Sequence, residues 1–159
     1  MRFYLDTCIS INLARALREL EAGQGANTEV VIHAEVVAPA APDPAWLPIL
    51  RGLRIDVLLT SDGRIRKSSD ERKAWAEAGV LTYFMSNRYC GASIWPQVEE
   101  MMHWWPHVKR HARNAAPGSA WSLAWQEKEP RLLEHHDGSR PAKVSKRDVK
   151  TTTKKRHRK

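Results

Sequence analysis

The chain has 159 residues, enough for one domain with a substantial hydrophobic core, and an ordinary composition apart from its seven Trp. The formal net charge is +8, but residues 139–159 carry ten Lys or Arg and one acidic residue, a charge of +9. The rest of the chain keeps 16 of the 26 basic and 17 of the 18 acidic residues and sums to −1. A uniformly basic domain is therefore excluded, and the basicity is confined to a C-terminal tail.

The two cysteines, Cys8 and Cys90, are too few for a disulfide framework and lack the spacing of a zinc motif, so reduced thiols are expected. No apolar run approaches the ~20 residues that span a bilayer. The N-terminus does not resemble a signal peptide, because Asp6 interrupts its apolar stretch. These features predict a cytoplasmic protein with no membrane partner.

The first part of the chain alternates between apolar runs typical of buried strands and amphipathic patterns typical of helices. Residues 1–6 predict a strand that ends on Asp6, and residues 11–21 predict a helix with Ser10 as its N-cap. A second strand is predicted over residues 28–33.

The central part continues this alternation. Asp43 followed by Pro44 predicts the start of a short helix, because Asp caps helices and proline suits the first helical position. Residues 55–62 are a short apolar run, rich in branched side chains, that stops on Asp62 with Gly63 immediately after. Such a run is typical of a buried strand in a parallel sheet.

The second half adds a helix over residues 68–78, a strand over residues 80–85 and a longer amphipathic helix from Ser93, which Pro106 is expected to kink or split. Residues 121–125 predict a short edge strand. The regular alternation of strands and helices indicates an α/β fold with a mainly parallel sheet between helices.

Apolar periodicity ends near His136. The predicted organisation is therefore one domain over residues 1–136, with an extra C-terminal helix, followed by a disordered basic tail over residues 137–159.

Two of the predicted strands end on an aspartate. Ligands of open α/β sheets bind outside the carboxyl ends of the strands, so Asp6 and Asp62 are expected at one place. For either aspartate alone, a cap of the turn or helix that follows is the preferred explanation, and only their coincidence favours a functional site. Asp56 is excluded because it lies six residues before Asp62, about 20 Å along a strand.

Cleaving a phosphodiester requires an activated nucleophile and relief of negative charge, which Mg²⁺ ions held by carboxylates supply. Asp43 is expected to begin its helix on the same side of the sheet, as a third ligand or only as an N-cap, with Glu35 as its substitute. Glu71 lies at capping-box spacing from Ser68, and this spacing alone favours a cap.

Three basic residues follow Asp62 in the segment predicted to connect strand and helix: Arg64, Arg66 and Lys67. They form either a solvated basic loop or clamps for the substrate phosphate. Their position beside Asp62 favours phosphate clamps.

Taken in order, these features resemble the PIN-like domains of VapC-type toxins. The resemblance covers residues 1–86 and is carried by the Asp-terminated first strand, Asp-Pro-Ala-Trp from Asp43, Leu-Leu-Thr-Ser-Asp-Gly-Arg-Ile-Arg from Leu58, Glu71-Arg72 and Gly79-Val80. It implies a three-layer α/β/α fold, a Mg²⁺- or Mn²⁺-dependent ribonuclease activity and an antitoxin partner. Carried over by position, it implies an acidic catalytic set of Asp6, Asp43, Asp62 and Glu71, of which the three aspartates bind the metal. The basic tail departs from the family pattern.

For the other polar and aromatic residues, the sequence favours structural roles over functional ones. A zinc site on the predicted C-terminal helix lacks a fourth ligand, so solvated surface positions are expected for His103, His107 and His111. The C-terminal tryptophans are chemically able to stack on exposed RNA bases. Packing in the core or at a partner interface is nevertheless favoured for Trp104, Trp105, Trp121 and Trp125. A serine hydrolase is excluded, because no His is placed to activate Ser10 or Ser61.

The sequence thus predicts a cytoplasmic, metal-dependent endoribonuclease that is the toxin of a type II toxin–antitoxin pair. Its expected partners are RNA and an antitoxin, and the prediction is compatible with a homodimer. The alternative is a non-catalytic nucleic-acid-binding adaptor that uses its basic tail. A nuclease directed at DNA is a third option, which the residues do not distinguish from the first.

Overall fold

The computed structural model of the protein describes residues 1–25, 27–37, 52–125 and 130–132. The strands are β1 (Arg2–Leu5), β2 (Glu29–Ile32), β3 (Val57–Thr60), β4 (Leu81–Met85), β5 (Ala120–Leu123) and β6 (Arg131–Leu132). The helices are α1 (Ile11–Gly23), α2 (His33–Val36), α3 (Gly63–Lys67), α4 (Ser69–Glu77), α5 (Asn87–Gly91) and α6 (Ile94–Ala112). None of the helices in this part of the chain combines the length and apolar character needed to cross a membrane.

The strands form one sheet in the order β2-β1-β3-β4-β5-β6. The first five are parallel to their neighbours, and β6 pairs antiparallel with β5. The chain moves outward from β1 to β2 and then returns past β1 to β3. The gap between β1 and β3 is therefore a topological switch point, where the connections on either side diverge and leave a crevice.

Both faces of the sheet are covered, which gives three layers. On one face α1 and α6 pack on alternate strand residues such as Phe3, Leu59 and Tyr83. On the other face the second core contains Tyr4 and Leu58 together with apolar side chains of α3 and α4, Ile65 and Trp75. A strand buried on both faces needs apolar residues at every position, which explains the uninterrupted apolar runs of the sequence.

The predicted α/β/α arrangement with a mainly parallel sheet is confirmed, and the four predicted N-terminal strands are all present. Residues 68–78 form α4, capped as predicted by the Ser68 hydroxyl, which accepts a hydrogen bond from Glu71 N at 3.3 Å. Ser10 does occupy the N-cap position of α1, but its hydroxyl makes no capping hydrogen bond.

Three details of the predicted elements were wrong. Pro106 does not split α6, which runs unbroken from Ile94 to Ala112 with Trp105 and Val108 buried on either side of the proline, whereas the kink stays a prediction. The segment after Asp62 is the short helix α3 rather than a loop. β5 is not an edge strand, since β6 covers its outer side.

The turn into β5 depends on Gly118, whose φ of 75° lies in the left-handed region. A Cβ at this position would lie 2.6 Å from the carbonyl oxygen of Ala76, at the end of α4. The absence of a side chain thus allows the backbone before β5 to touch α4. The predicted helix at Asp43 and the predicted tail over residues 137–159 lie outside the described residues.

Candidate active site

Polar side chains collect at the carboxyl edge of the sheet, around the switch point between β1 and β3. Asp6 follows β1, and its backbone N–H donates to the Leu59 carbonyl oxygen of β3 at 3.1 Å. Asp62 lies two residues after β3 and begins α3. The two aspartates predicted to meet therefore lie at the same edge of two adjacent strands. Asp56 lies at the opposite edge, where its Oδ2 accepts from Arg2 N at 2.7 Å.

The Asp6 carboxylate is buried, with 6% of the residue exposed, and is held by four donors. Its Oδ1 accepts from Thr7 N at 2.6 Å and from Thr7 Oγ1 at 3.2 Å. Its Oδ2 accepts from Thr60 Oγ1 at 2.6 Å and from Cys8 Sγ at 3.4 Å. The two short bonds fix the orientation of the carboxylate, and the two longer ones are the weaker restraints.

Thr60 connects the two aspartates. Its hydroxyl donates to Asp6 Oδ2 and accepts a hydrogen bond from Asp62 N at 2.9 Å. The residue is fully buried at the last position of β3. One hydroxyl therefore joins the carboxylate that follows β1 to the backbone of the residue that follows β3.

Asp62 has a carboxylate that is engaged by Arg64. Asp62 Oδ1 accepts from Arg64 N at 2.7 Å, which caps α3, and Asp62 Oδ2 accepts from Arg64 Nη2 at 2.7 Å. The hydrogen bonds from the Arg64 side chain hold the pKa of Asp62 below its usual value and outweigh the opposing effect of partial burial. Asp62 is therefore a carboxylate at neutral pH. The Arg64 side chain is 81% exposed and can leave it at little cost.

The donor set suits a hard divalent cation in type and charge. Mg²⁺ commonly takes one or two carboxylates from the protein and completes its octahedron with water and substrate oxygens. Asp6 and Asp62 can supply these carboxylates if the cation replaces the longer hydrogen bonds to Asp6 and the Arg64 side chain on Asp62. Within the described ranges, no three His, Cys, Asp or Glu side chains form a group that could hold a metal ion. Asp43 lies outside those ranges.

The other predicted acidic residues differ in their surroundings. Glu71 lies in the first turn of α4, where its backbone N–H is capped by Ser68. Glu35, the substitute for Asp43, accepts from Arg18 Nη1 at 2.6 Å and from Arg15 Nε at 3.4 Å. The hydrogen bond from Arg18 lowers the pKa of Glu35, and the two arginines engage its carboxylate from α1. Glu35 is therefore a weaker candidate for a metal ligand than Asp62, which a single exposed arginine engages.

Of the three predicted phosphate clamps, Arg64 lies on Asp62, whereas Arg66 and Lys67 are exposed on α3. Neither Arg66 nor Lys67 forms an ion pair with a carboxylate of the described chain. Both are available to an anion that approaches the edge of the sheet.

Four residues that contact Asp6 were not identified from the sequence: Thr7, Cys8, His33 and Thr60. Besides its hydrogen bond to Asp6, Cys8 Sγ accepts from Ser61 N at 2.9 Å, and burial followed by the charge of Asp6 raises the pKa of its thiol to about 11. His33 Nδ1 lies 3.7 Å from Asp6 Oδ1 and 2.6 Å from the Tyr4 hydroxyl. The signal that could have found His33 is the one used for the aspartates, because it directly follows β2.

The histidines and tryptophans of α6 are only partly as predicted. His111 is half-buried rather than a solvated surface residue, and its Nδ1 lies 2.6 Å from the Tyr83 hydroxyl. Trp104 and Trp105 pack in the core, as favoured, and Trp105 Nε1 donates to Glu21 Oε1 at 2.7 Å.

Comparison with known proteins gives one match. A family model described as a PIN-like domain matches residues 1–87, more than half of the chain and the part that contains β1 to β4. A search of curated proteins and a search of solved structures each found no match.

Proposed function

Because the chain belongs to the PIN-like domain family, whose members are generally nucleases, we propose that it is a metal-dependent endoribonuclease and the toxin of a type II toxin–antitoxin pair. The observation that carries the proposal is the placement of Asp6 and Asp62 at one edge of adjacent parallel strands, joined through the Thr60 hydroxyl.

Asp6 and Asp62 would hold a Mg²⁺ or Mn²⁺ ion, with Asp43 as a third ligand and Glu71 positioning water. Such an ion, when bound, lowers the pKa of a coordinated water and offsets charge on the phosphate. Thr7 and Thr60 keep the Asp6 carboxylate in one orientation, because each donates a hydrogen bond of 2.6 Å to it. Preorganised ligands of this kind avoid the cost of ordering the carboxylate when the substrate arrives.

Arg64 has two successive partners in this proposal. Without substrate its guanidinium bonds Asp62, and an exposed side chain of this length can turn toward a phosphate oxygen once the carboxylate binds a cation. Arg66 and Lys67 on the same short helix add positive charge for the neighbouring phosphates.

The test is RNA cleavage by the full chain with Mn²⁺ and with EDTA, for the Asp62→Asn and Asp56→Asn variants. Asp62→Asn is expected to reduce cleavage by at least a hundredfold and to leave RNA binding in EDTA intact. Asp56→Asn is the matched control, because it makes the same change at the opposite edge of the sheet, and it is expected to cleave as the wild type does. Cleavage that is independent of metal, or equal in both variants, would contradict the proposal.

The second candidate, a non-catalytic nucleic-acid-binding adaptor, is favoured by one observation, the charge of +9 on residues 139–159. It predicts RNA binding that disappears with the tail and no metal-dependent cleavage at all. A DNA-directed nuclease predicts the same dependence on Asp62 with a DNA strand as the better substrate, so both nucleic acids belong in the assay.

The toxin role has its own test, which is growth arrest on expression of the chain and rescue by a small protein encoded next to it. Arrest by the wild type and not by Asp62→Asn would support it. Co-purification with that neighbour, and the mass of the free chain, would identify the antitoxin and show whether the chain forms a homodimer.

A further inference from the structure

We propose that single-stranded RNA passes from the Asp62 edge along α5 and places an unpaired base in a groove beside that helix. The groove is lined by Arg88, Gly91, Ala92, Ser93, Pro96 and Trp125 and is called the α5 groove below. This inference rests on the proposed function, because it names the form of RNA that the site receives and the surface that holds it.

The first step is the position of α5, which lies directly against the segment that carries Asp62. Cys90 Sγ donates to Ser61 Oγ at 2.9 Å, next to Asp62 in the chain. On the same side, Asn87 Oδ1 lies 3.9 Å from the position that a Cβ of Gly63 would occupy. Arg88 and Gly91, which line the groove, directly follow Asn87 and Cys90 in α5, so the groove lies on the face of the helix next to the one that contacts the Asp62 segment.

The second step is the chemistry of the groove, which has a volume of about 430 Å³. The Arg88 guanidinium carbon lies 4.8 Å from the centroid of the Trp125 ring. Arg88 is exposed and forms no ion pair with a carboxylate in the described ranges, so its charge is available to an incoming phosphate. The indole Nε1 of Trp125 is buried without a hydrogen-bond acceptor among these residues.

The third step is the exposed apolar surface beside the groove. Trp95 lies between two groove residues in the first turn of α6 and is 73% exposed, and its neighbour Ile94 is 45% exposed. An exposed indole offers a flat apolar face on which an unpaired base can stack.

A single-stranded nucleic acid matches all three features. Its bases supply flat faces for the exposed Trp95, and its phosphates supply charge for Arg88, which lies over the Trp125 ring, and for Arg66 and Lys67 on α3. A duplex offers only stacked and paired bases, so it cannot use the indoles. A protein partner would bring apolar side chains but no regular series of anions to oppose these cations.

The experiment measures binding of a short fluorescein-labelled RNA to the full chain in EDTA by fluorescence anisotropy, so that no cleavage occurs. Trp95→Ala and Arg88→Ala are compared with Leu20→Ala and Arg113→Ala, which remove an exposed Leu from the end of α1 and an exposed Arg beyond the end of α6. Trp95→Ala is expected to weaken binding of the single strand about five- to hundredfold. Arg88→Ala is expected to weaken it and to reduce the slope of log K against log salt by about 0.7, with both controls unchanged.

Cleavage assays with Mn²⁺ separate the possible failures. If the groove variants raise KM and leave kcat unchanged, the inference stands together with the proposed function. If RNA is cleaved but Trp95→Ala and Arg88→Ala bind it as the wild type does, the inference is wrong and the nuclease remains. If both variants lose binding but no metal ever supports cleavage, the groove binds RNA and the proposed function fails.

Two further results bear on the inference directly. Ultraviolet cross-linking followed by mass spectrometry should attach RNA to a peptide that contains Trp95 or Trp125, a readout that does not depend on any substitution. Equal loss of single-stranded and duplex binding in Trp95→Ala would overturn it, because stacking requires unpaired bases.

Discussion

At the scale of single residues, the Thr60 hydroxyl supports Asp6 and Asp62 at once. Thr60→Val keeps the shape of the side chain and removes both hydrogen bonds. We expect a loss of about 1–3 kcal/mol in the free energy of unfolding, because a buried carboxylate and a buried N–H each lose a partner. We also expect about a tenfold loss of Mn²⁺ affinity, because Asp6 loses one of the two short hydrogen bonds that fix its orientation.

Urea unfolding and calorimetric titration with Mn²⁺ measure the two effects of Thr60→Val. Thr60→Ser retains the hydroxyl and should recover most of the metal affinity. A Thr60→Val variant that binds Mn²⁺ as tightly as the wild type would show that the bridge has no part in the site.

In the proposed function, Arg64 and the metal ion compete for the carboxylate of Asp62. Because its hydrogen bonds lower the pKa of Asp62, Arg64→Gln should raise that pKa toward the ordinary value of 3.8. A lowered pKa stabilises the fold above the unfolded pKa, and this contribution is lost as the pH falls through the folded pKa. The variant should therefore lose less stability than the wild type between neutral pH and about pH 3.

The same substitution separates metal binding from RNA binding. An exposed ion pair contributes at most about 1 kcal/mol, so Arg64→Gln should increase Mn²⁺ affinity by up to about fivefold at pH 7. The KM for RNA should rise, because the variant has one cation fewer for the phosphates. NMR titration of the Asp62 side-chain carboxyl and calorimetry with Mn²⁺ check the two parts, and a fall in Mn²⁺ affinity would contradict this account of Arg64.

At the scale of elements, α1 and α6 are joined by a buried ion pair. Lys109 Nζ donates to Glu21 Oε1 at 2.5 Å, and Glu21 is only 2% exposed. Burial raises the pKa of Glu21, but the hydrogen bonds from Lys109 and Trp105 together lower it by more, so the net pKa lies below its ordinary value of 4.5. The stability that Glu21 contributes is therefore full at neutral pH and is lost as the pH falls below about 4.5.

Lys109→Met should cost roughly 2–4 kcal/mol at pH 7, because it leaves the Glu21 carboxylate buried without its cation. Lys73→Met removes the cation of an exposed pair with Glu77 and is the matched control, expected to change stability by less than about 0.5 kcal/mol. Urea unfolding at pH 7 and at pH 4 measures both. The difference between the two variants should shrink at the lower pH, and a constant difference would assign the loss to packing rather than to charge.

The elements that could be predicted are those that the hydrophobic pattern of their own short segment is enough to identify. Strands β1 and β3 follow from uninterrupted apolar runs, and parallel strands bring their carboxyl ends to one edge whatever the loops do, so Asp6 and Asp62 could be paired in advance. The short helix α3 could not be predicted, because Gly63 and its basic neighbours are typical of a loop. It forms because the Asp62 side chain caps it and Ile65 is buried.

The hydrogen bonds within the candidate site depend on tertiary structure and escaped prediction for that reason. Nothing near Thr60 in the chain indicates that its hydroxyl faces Asp6, 54 positions earlier. Cys8 was interpreted only as a reduced thiol, and its approach to the Ser61 backbone follows from the register of β1 on β3.

At the scale of the whole molecule, the positive charge is concentrated in residues 139–159, whereas the proposed metal ligands Asp6 and Asp62 belong to the rest of the chain. Deleting residues 139–159 removes ten basic residues and leaves a body whose formal charge is −1. We expect RNA affinity to fall and to depend less on salt, with the slope of log K against log salt reduced by about 0.7 for each phosphate that the tail no longer neutralises. Cleavage of a short RNA at saturating concentration should persist, because Asp6 and Asp62 lie outside the tail.

A full-length variant with the Lys and Arg of the tail changed to Gln controls for chain length and should match the deletion. Anisotropy titrations over a range of salt concentrations, with the saturating cleavage rate as the second readout, decide the outcome. A tail deletion that abolishes the saturating rate as well as binding would favour the adaptor over the nuclease.

The order of the chain has a consequence for how such a protein diversifies. Asp6, Thr60, Asp62 and α3 all come from the first 67 residues, whereas the α5 groove and its flanking indole come from residues 88–125. If the proposed function and the α5 groove are correct, mutations that alter RNA binding can accumulate in the later segment while the proposed metal ligands stay unchanged. Relatives should share the early carboxylates and vary at Arg88, Trp95 and Trp125, and exchanging those three positions between relatives should change the affinity for single-stranded RNA without changing the metal requirement.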